Sequence, residues 1–286
     1  MPTRLLVAAL WAALAVAPPA GAACPTDLEA AALAARHVAR QAIANPGPEL
    51  TLEDAQCGRD KLNRFLAQAY GRPVGYKAGL TNPAVQKRFN HGSPVRGTLF
   101  EKMLLPDGAV VPAGFGARPV YEADLVVEVK DAAINRATTP AEVLRHVARL
   151  YPFIELPDLM LEDPTRPSGP ALVLVNAGAR LGVLGKPLAV NAGDPWVEAL
   201  AAMTVRLFDQ DGKELDSGPG SAILGHPLEA VIWLAGDLKK AGTPLKKGDL
   251  LSLGAFSKPL RPTPGGGARV VYEGLRGNPS VSVRFQ

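Results

Sequence analysis

The two acids of Tyr121-Glu122-Ala123-Asp124-Leu125 stand two residues apart among apolar neighbours, Val120, Leu125, Val126 and Val127. Alternate residues of a strand share a face, so Glu122 and Asp124 would point the same way. Two like charges on a largely buried strand are costly unless a positive charge neutralises them. A divalent cation would do so, and an all-oxygen donor set suits Mg²⁺ or Mn²⁺ better than Zn²⁺. A solvated strand face would show the same spacing. Glu155, in Tyr151-Pro152-Phe153-Ile154-Glu155-Leu156, is a third acid in an apolar run. Three such carboxylates would leave positions on an octahedral ion open to water or substrate. Asp158 is close in sequence, but the intervening Pro157 leaves its direction undetermined. Lys77, in Gly75-Tyr76-Lys77-Ala78-Gly79, reads as a proton-transfer group or as a surface lysine on a tight turn. His226 stands at an expected helix start, behind Ser217, Gly218, Gly220 and Ser221. That stretch reads as a helix N-terminus that receives a carboxylate, or as a plain Gly-rich turn. His37, His91 and His146 show no ligand spacing, and no GxSxG, HExxH, P-loop or GxGxxG pattern occurs.

These residues must be held by a frame of mixed elements. Two helices are expected between residues 27 and 70, the first capped by Asp27 and the second by Thr51 with Asp54. Asn45-Pro46-Gly47-Pro48 separates them and Gly71-Arg72-Pro73 ends the second. Further on, short β-rich runs alternate with Gly/Pro turns: residues 120–130, 171–175, 203–208, 250–253, 269–272 and 281–285. Asp209-Gln210-Asp211-Gly212-Lys213 reads as a hairpin turn. Helices are expected over residues 139–150 and 227–241. Irregularly spaced strands mixed with few helices argue for an α+β fold rather than a doubly wound one.

The chain has 286 residues, 47% hydrophobic and 20% charged, with a net charge of +4. These are ordinary globular values. The charge is too mild, and too evenly spread, to point to nucleic acid. Arg4, an apolar stretch from Leu5 to Val16, and Ala20-Gly21-Ala22-Ala23 before Cys24 form a signal-peptide pattern over residues 1–23. The apolar stretch is too short for a membrane span, so no stable membrane insertion is expected after its removal. Export to the periplasm is the implied location. The only cysteines, Cys24 and Cys57, then read as one disulfide in an oxidising compartment. The competing reading makes Cys24 a lipid anchor and leaves Cys57 an odd thiol.

Several fragments, in order, resemble the 2-oxopent-4-enoate hydratase and 4-oxalocrotonate decarboxylase branch of the fumarylacetoacetate hydrolase superfamily. They are Gly75 to Thr81 (G-x-K-V-G-L-T in the family), Gly97 to Met103 (G-x-L-F-x-x-M), Glu122 to Leu125 (E-A-E-I) and Glu155 after its apolar run. Asn176-Ala177 (from D-N-A-S), Leu224 to Ala235, Gly248 to Ser252 and Ser280 to Phe285 follow. The resemblance implies a rolled mixed β-sheet core over residues 73–286 behind a helical region over residues 24–72. It puts Glu122, Asp124 and Glu155 on the metal-ligand positions, with Asp124 in place of a Glu, and Lys77 on the acid/base lysine. Asn176, Ser221 and His226 become candidate substrate-binding residues. The implied activity is a metal-dependent hydro-lyase, a hydratase of a 2-hydroxy-2,4-dienoate whose enolate the cation stabilises. Decarboxylation or carbon–carbon hydrolysis of a 2-oxo acid at the same site is the alternative, as is an exported ligand-binding protein without catalysis. A small 2-oxo or 2-hydroxy-dienoic acid is the implied partner, and a homo-oligomer the implied assembly. Three positions depart from the branch: Val95 where an acid is common, and Val175 and Gly178 flanking Asn176-Ala177.

Overall fold

The computed structural model describes residues 24–191 and 195–286. The signal-peptide reading of residues 1–23 lies outside them. The chain opens on α1 (Asp27–Val38) and α2 (Leu52–Tyr70). Thr26, not Asp27, caps α1: it forms a reciprocal capping box with Glu29, while Asp27 sits inside the first turn, where a negative charge meets the helix dipole. Thr51 caps α2 by accepting the Asp54 N–H. Cys24 and Cys57 are joined, 33 residues apart, which ties the start of the described chain to α2. The sulfur a lipid anchor would need is used in that bond.

Next come β1 (Pro73–Gly79), α3 (Pro83–Arg88), β2 (Val95–Phe100), β3 (Leu104–Pro106), β4 (Ala109–Val111), β5 (Glu122–Val129), α4 (Pro140–Arg145) and β6 (Val147–Leu156). They are followed by α5 (Gly169–Leu174), β7 (Leu181–Leu184), β8 (Leu188–Ala189), α6 (Trp196–Ala202), β9 (Thr204–Asp209) and β10 (Glu214–Pro219). The chain closes on α7 (Glu229–Lys240), β11 (Leu250–Ser252), β12 (Gly267–Glu273) and β13 (Ser280–Phe285).

Two expected elements differ. Residues 171–175 belong to helix α5, not to a strand: Ser168 caps it by accepting the Ala171 N–H, and Pro170 suits its first turn. Every residue of that run is buried, so no periodicity marked it as helical. The helix expected over 139–150 stops at Arg145, and from Val147 the chain is already β6.

One sheet runs in the order β2-β1-β11-β5-β6-β7-β3, with β8 also on β6; the other runs β10-β9-β12-β13-β4. The main core lies between them and under α7, and contains Ala123, Leu125 and Val127 of β5, Ile154 and Leu156 of β6, and Val270 and Tyr272 of β12. This is the α+β, rolled mixed-sheet architecture expected. Since alternate residues face opposite ways, the other face of β5 and β6 carries Glu122, Asp124 and Glu155 away from that core. Among the described residues no helix is long and apolar enough to cross a membrane.

Candidate active site

The register of β5 on β6 sets Glu122 directly opposite Glu155, and Asp124 opposite Phe153. Paired residues of neighbouring strands point to the same side, so three carboxylates share one face. Lys77 reaches that face from β1, which is separated from β5 by β11 alone; Lys77 pairs with Ser252, and Ser252 with Val126. Lys77 is thus a buried strand residue, 4% exposed, and not a surface lysine on a turn. Its ammonium forms an ion pair with Glu155, also buried, and donates to the Ala177 carbonyl at 2.9 Å.

The segment behind Lys77 is unusually shaped. Asn176, Ala177 and Gly178 all have positive φ (56°, 53° and 70°). For the two non-glycine residues this conformation costs roughly 1–2 kcal/mol each. The Asn176 side chain offsets the cost: its Oδ1 accepts the Thr98 N–H at 2.7 Å and its Nδ2 donates to the Thr98 carbonyl at 2.9 Å. That pair of hydrogen bonds to β2 holds the Ala177 carbonyl over Lys77. Gly97 makes room for it, because a Cβ there would stand 2.5 Å from the Asn176 carbonyl oxygen.

The shorter Asp124 is turned toward the end of β11. Its carboxylate accepts the Ser252 hydroxyl at 2.5 Å and the N–H groups of Leu253 and Gly254 at 3.2 and 3.0 Å. The Tyr272 hydroxyl, rising from β12 through the core, donates to the Asp124 carbonyl and accepts the Phe153 N–H at 2.9 Å, fixing both carboxylate-bearing strands. Glu122 accepts no hydrogen bond among the described residues, whereas Glu155 Oε1 is held by the Lys77 ammonium.

Burial, then the charge of Glu155, pushes the Glu122 carboxyl from 4.5 up to about 8, against the opposing pull of Lys77. Asp124 rises from 3.8 to about 8 for the same two reasons, despite the Ser252 hydrogen bond that favours its charged form. Three acids and one lysine leave a net charge of about −2 when all are ionised. This excess and the free Glu122 carboxylate fit a hard divalent cation in donor chemistry. Among the described residues no three acidic, His or Cys side chains are already drawn tightly around one point. Glu122 and Glu155 have free oxygens to close on an ion, whereas Asp124 offers only the lone pairs that β11 leaves.

Comparison with known proteins agrees with this architecture. No protein-family model matches the chain. A 2-keto-4-pentenoate hydratase of Burkholderia vietnamiensis is 34% identical over 213 residues, 74% of this chain and 78% of its own length. The chain belongs to that hydratase family, within the fumarylacetoacetate hydrolase superfamily. A 4-oxalocrotonate decarboxylase of Pseudomonas putida is 28% identical over 85% of this chain and 89% of its own. The solved structure of a Pseudomonas putida 4-oxalocrotonate decarboxylase, complexed with magnesium and adipate, superposes with a TM-score of 0.79 at 26% identity, covering 92% of this chain and all of that one. These relatives are named as enzymes and lend no support to a ligand-binding protein without catalysis.

The remaining candidates of the family pattern sit elsewhere. Asn176 spends its amide on Thr98 and so positions Lys77's carbonyl partner. His226 uses both ring nitrogens locally: Nδ1 accepts the Leu228 N–H at 3.1 Å and Nε2 meets the Val197 carbonyl at 3.0 Å. It closes the first turn of α7. Ser221 is exposed. Sequence reasoning missed Ser252, whose partner is fixed only by the cross-strand register, and Tyr272, which comes from the second sheet. A Ser ending an apolar strand was the one available signal for the former.

Proposed function

We propose that the chain is a divalent-metal-dependent hydro-lyase that hydrates a 2-hydroxy-2,4-dienoate of the 2-oxopent-4-enoate type. The observation that carries the reading is the Glu122–Glu155 pair, facing across two strands, with Lys77 ion-paired to Glu155. Glu122 and Glu155, supported by Asp124, would hold a Mg²⁺ or Mn²⁺ ion, which supplies positive charge to the oxygens of a bound oxo acid. Lys77 carries the protons: its Nζ is fixed between Glu155 and the Ala177 carbonyl and donates toward the same sheet face. Glu155 accepts from Lys77 and so links the proton donor to the ion. Val95 and Val175 are buried and apolar, so neither can take or give a proton. The relatives named as hydratases and as a decarboxylase support a small oxo-acid substrate. The test follows dienol absorbance of 2-hydroxypenta-2,4-dienoate with Mg²⁺ or Mn²⁺, with product identity checked. The expected outcome is hydration that is lost in Glu155→Ala and in Lys77→Met. Carbon dioxide release from a 2-oxo diacid with no hydration of any dienoate would overturn it in favour of decarboxylation.

The proposal extends to location. The signal-peptide pattern over residues 1–23 and the Cys24–Cys57 disulfide support an exported, periplasmic enzyme. Intact mass of the protein recovered from its native host checks this: a chain beginning at Cys24 is expected, and retention of residues 1–23 would refute it.

A further inference from the structure

Carbonyls alternate in direction along a strand, and on β5 those of Ala123 and Leu125 face β11, accepting the N–H groups of Phe256 at 2.8 Å and Leu253 at 3.0 Å. The Asp124 carbonyl between them therefore faces β6. On β6 the Pro152 carbonyl faces away, accepting the Gly185 N–H at 2.8 Å, so the N–H and carbonyl of Phe153 face β5. Asp124 and Phe153 are directly paired. In such a pair the Phe153 N–H and the Asp124 carbonyl are the two partners of one ladder bond. The Tyr272 hydroxyl is bonded to both. It accepts the Phe153 N–H at 2.9 Å and donates to the Asp124 carbonyl, with the Phe153 carbonyl at 3.2 Å.

Tyr272 reaches this place from the second sheet. Its backbone is fixed on both sides, paired with Val205 of β9 and donating to the Pro279 carbonyl at 3.0 Å, and its side chain is wholly buried. The hydroxyl is thus held by strands other than the two it joins. On its far side Asp124 is tied through its carboxylate to Ser252, Leu253 and Gly254. Glu122 and Glu155 form the next pair of the same kind, two residues along and roughly 7 Å away. What spaces Asp124 from Phe153 therefore spaces the two glutamates as well. Mg²⁺ demands near-ideal octahedral geometry with oxygens about 2.0–2.1 Å away, whereas Ca²⁺ accepts about 2.3–2.6 Å and irregular arrangements. Strands held at one spacing suit the small ion, and strands free to drift penalise it more than the large one.

We infer that Tyr272 is a positioning residue whose hydroxyl sets the spacing of Glu122 and Glu155 and so favours Mg²⁺ relative to Ca²⁺. The inference rests on the proposed function in one respect, that these carboxylates hold the ion. The hydroxyl acts through the backbone of the two strands and not on the ion itself.

The test is calorimetric titration of the metal-free full chain with magnesium chloride and, separately, calcium chloride, on wild type, Tyr272→Phe and Val270→Ala. Phenylalanine keeps the ring in the core and leaves the Phe153 N–H free to bond the Asp124 carbonyl directly, so the variant is expected to fold in chelator. Its Mg²⁺ affinity is expected to fall at least about 10-fold, the usual scale for a residue that supports metal ligands. Its Ca²⁺ affinity is expected to fall by no more than about 3-fold, because that ion tolerates looser geometry. Val270 lies on the same face of β12 and is equally buried, but it carries no polar group. Val270→Ala loosens the core and is expected to leave the ratio of the two affinities unchanged. A ratio unchanged in Tyr272→Phe, a ratio shifted as far in Val270→Ala, or a Tyr272→Phe chain that does not fold would each overturn the role given to the hydroxyl. In all three the wild type still binds metal and the reading of the site stands. A wild type that binds neither ion overturns that reading and this inference with it.

Discussion

Replacing Glu122 by Gln should make the metal-free protein more stable at alkaline pH while removing its stabilisation by metal. The Glu122 carboxyl rises from 4.5 to about 8 on folding, chiefly through burial and the Glu155 charge. The folded state therefore holds a proton more tightly than the unfolded chain. Its contribution to stability is fully present below about 4.5 and is lost as the pH climbs through about 8. Each pH decade in that window costs about 1.4 kcal/mol, or roughly 4 kcal/mol by pH 8. Glu122 is half-buried and shares its protons with Asp124 and Glu155, so about 2 kcal/mol is the realistic figure after screening and coupling. Glutamine keeps the shape without the charge. In a chain of this size the gain corresponds to a melting temperature about 4–8 °C above wild type at pH 8. At pH 5, where the wild-type acid is already protonated, the two melting curves should nearly coincide. Saturating Mg²⁺ at 100 times its dissociation constant should add about 2.7 kcal/mol to the wild type and little to the variant. The assay is thermal unfolding across pH 5 to 8 in chelator and in metal. Groups outside the site cancel in the difference between the two proteins. A gap that does not grow with pH, or a variant less stable than wild type at pH 8 in chelator, would refute the charge-excess argument.

Three further outcomes can be checked on the same preparation. Asn176→Ala leaves the Thr98 N–H and carbonyl without partners, and denaturant unfolding should show a loss of about 2–4 kcal/mol. Gly97→Ala forces a Cβ to within 2.5 Å of the Asn176 carbonyl oxygen and 3.0 Å of Lys77 Cγ. Displacing Lys77 by an ångström should lower turnover by up to about 100-fold, with a smaller effect on melting. Removing the disulfide by Cys24→Ser with Cys57→Ser opens a 33-residue loop; the expected loss is about 3–4 kcal/mol, read by denaturant titration with and without reductant.

The parts of the site legible in the sequence were those that depend on spacing along one strand. Glu122 and Asp124 share a face because strands alternate, whatever the partner strand does. That Glu155 faces Glu122 depends on cross-strand register, and a one-residue slip would have turned it into the core. The burial of Lys77 was hidden by its neighbours. Gly75 looks like a turn residue, but it is glycine because a Cβ there would meet the Leu250 carbonyl oxygen at 1.9 Å in the adjacent strand. Helix α5 was misread because a run buried on all sides carries no period. The boundary between α4 and β6 was blurred because apolar residues continue through His146 from one element into the other. Fold class survived these errors because it rests on the mixture of elements, and the family fragments fixed which mixture.

The charge balance also bears on whether the site is in use. Burying two carboxylates opposite each other, with a third alongside and one lysine to share, lowers the stability of the metal-free fold at neutral pH. Apolar residues of similar volume at these positions would pack without that loss. Nothing in the core needs the charges: Ala123, Leu125, Ile154 and Leu156 point the other way and hold the sheets together. Asp124 alone has a structural use, as acceptor for Ser252 and two backbone N–H groups, and even that could be met by a neutral amide. Glu122 and Glu155 have no such partners beyond Lys77. Their presence is accounted for physically by a bound cation, and the cation in turn by a substrate that brings oxygen donors to it. The Glu122→Gln experiment tests the first of these links, because the substitution removes the cost of the charge and the site for the ion together.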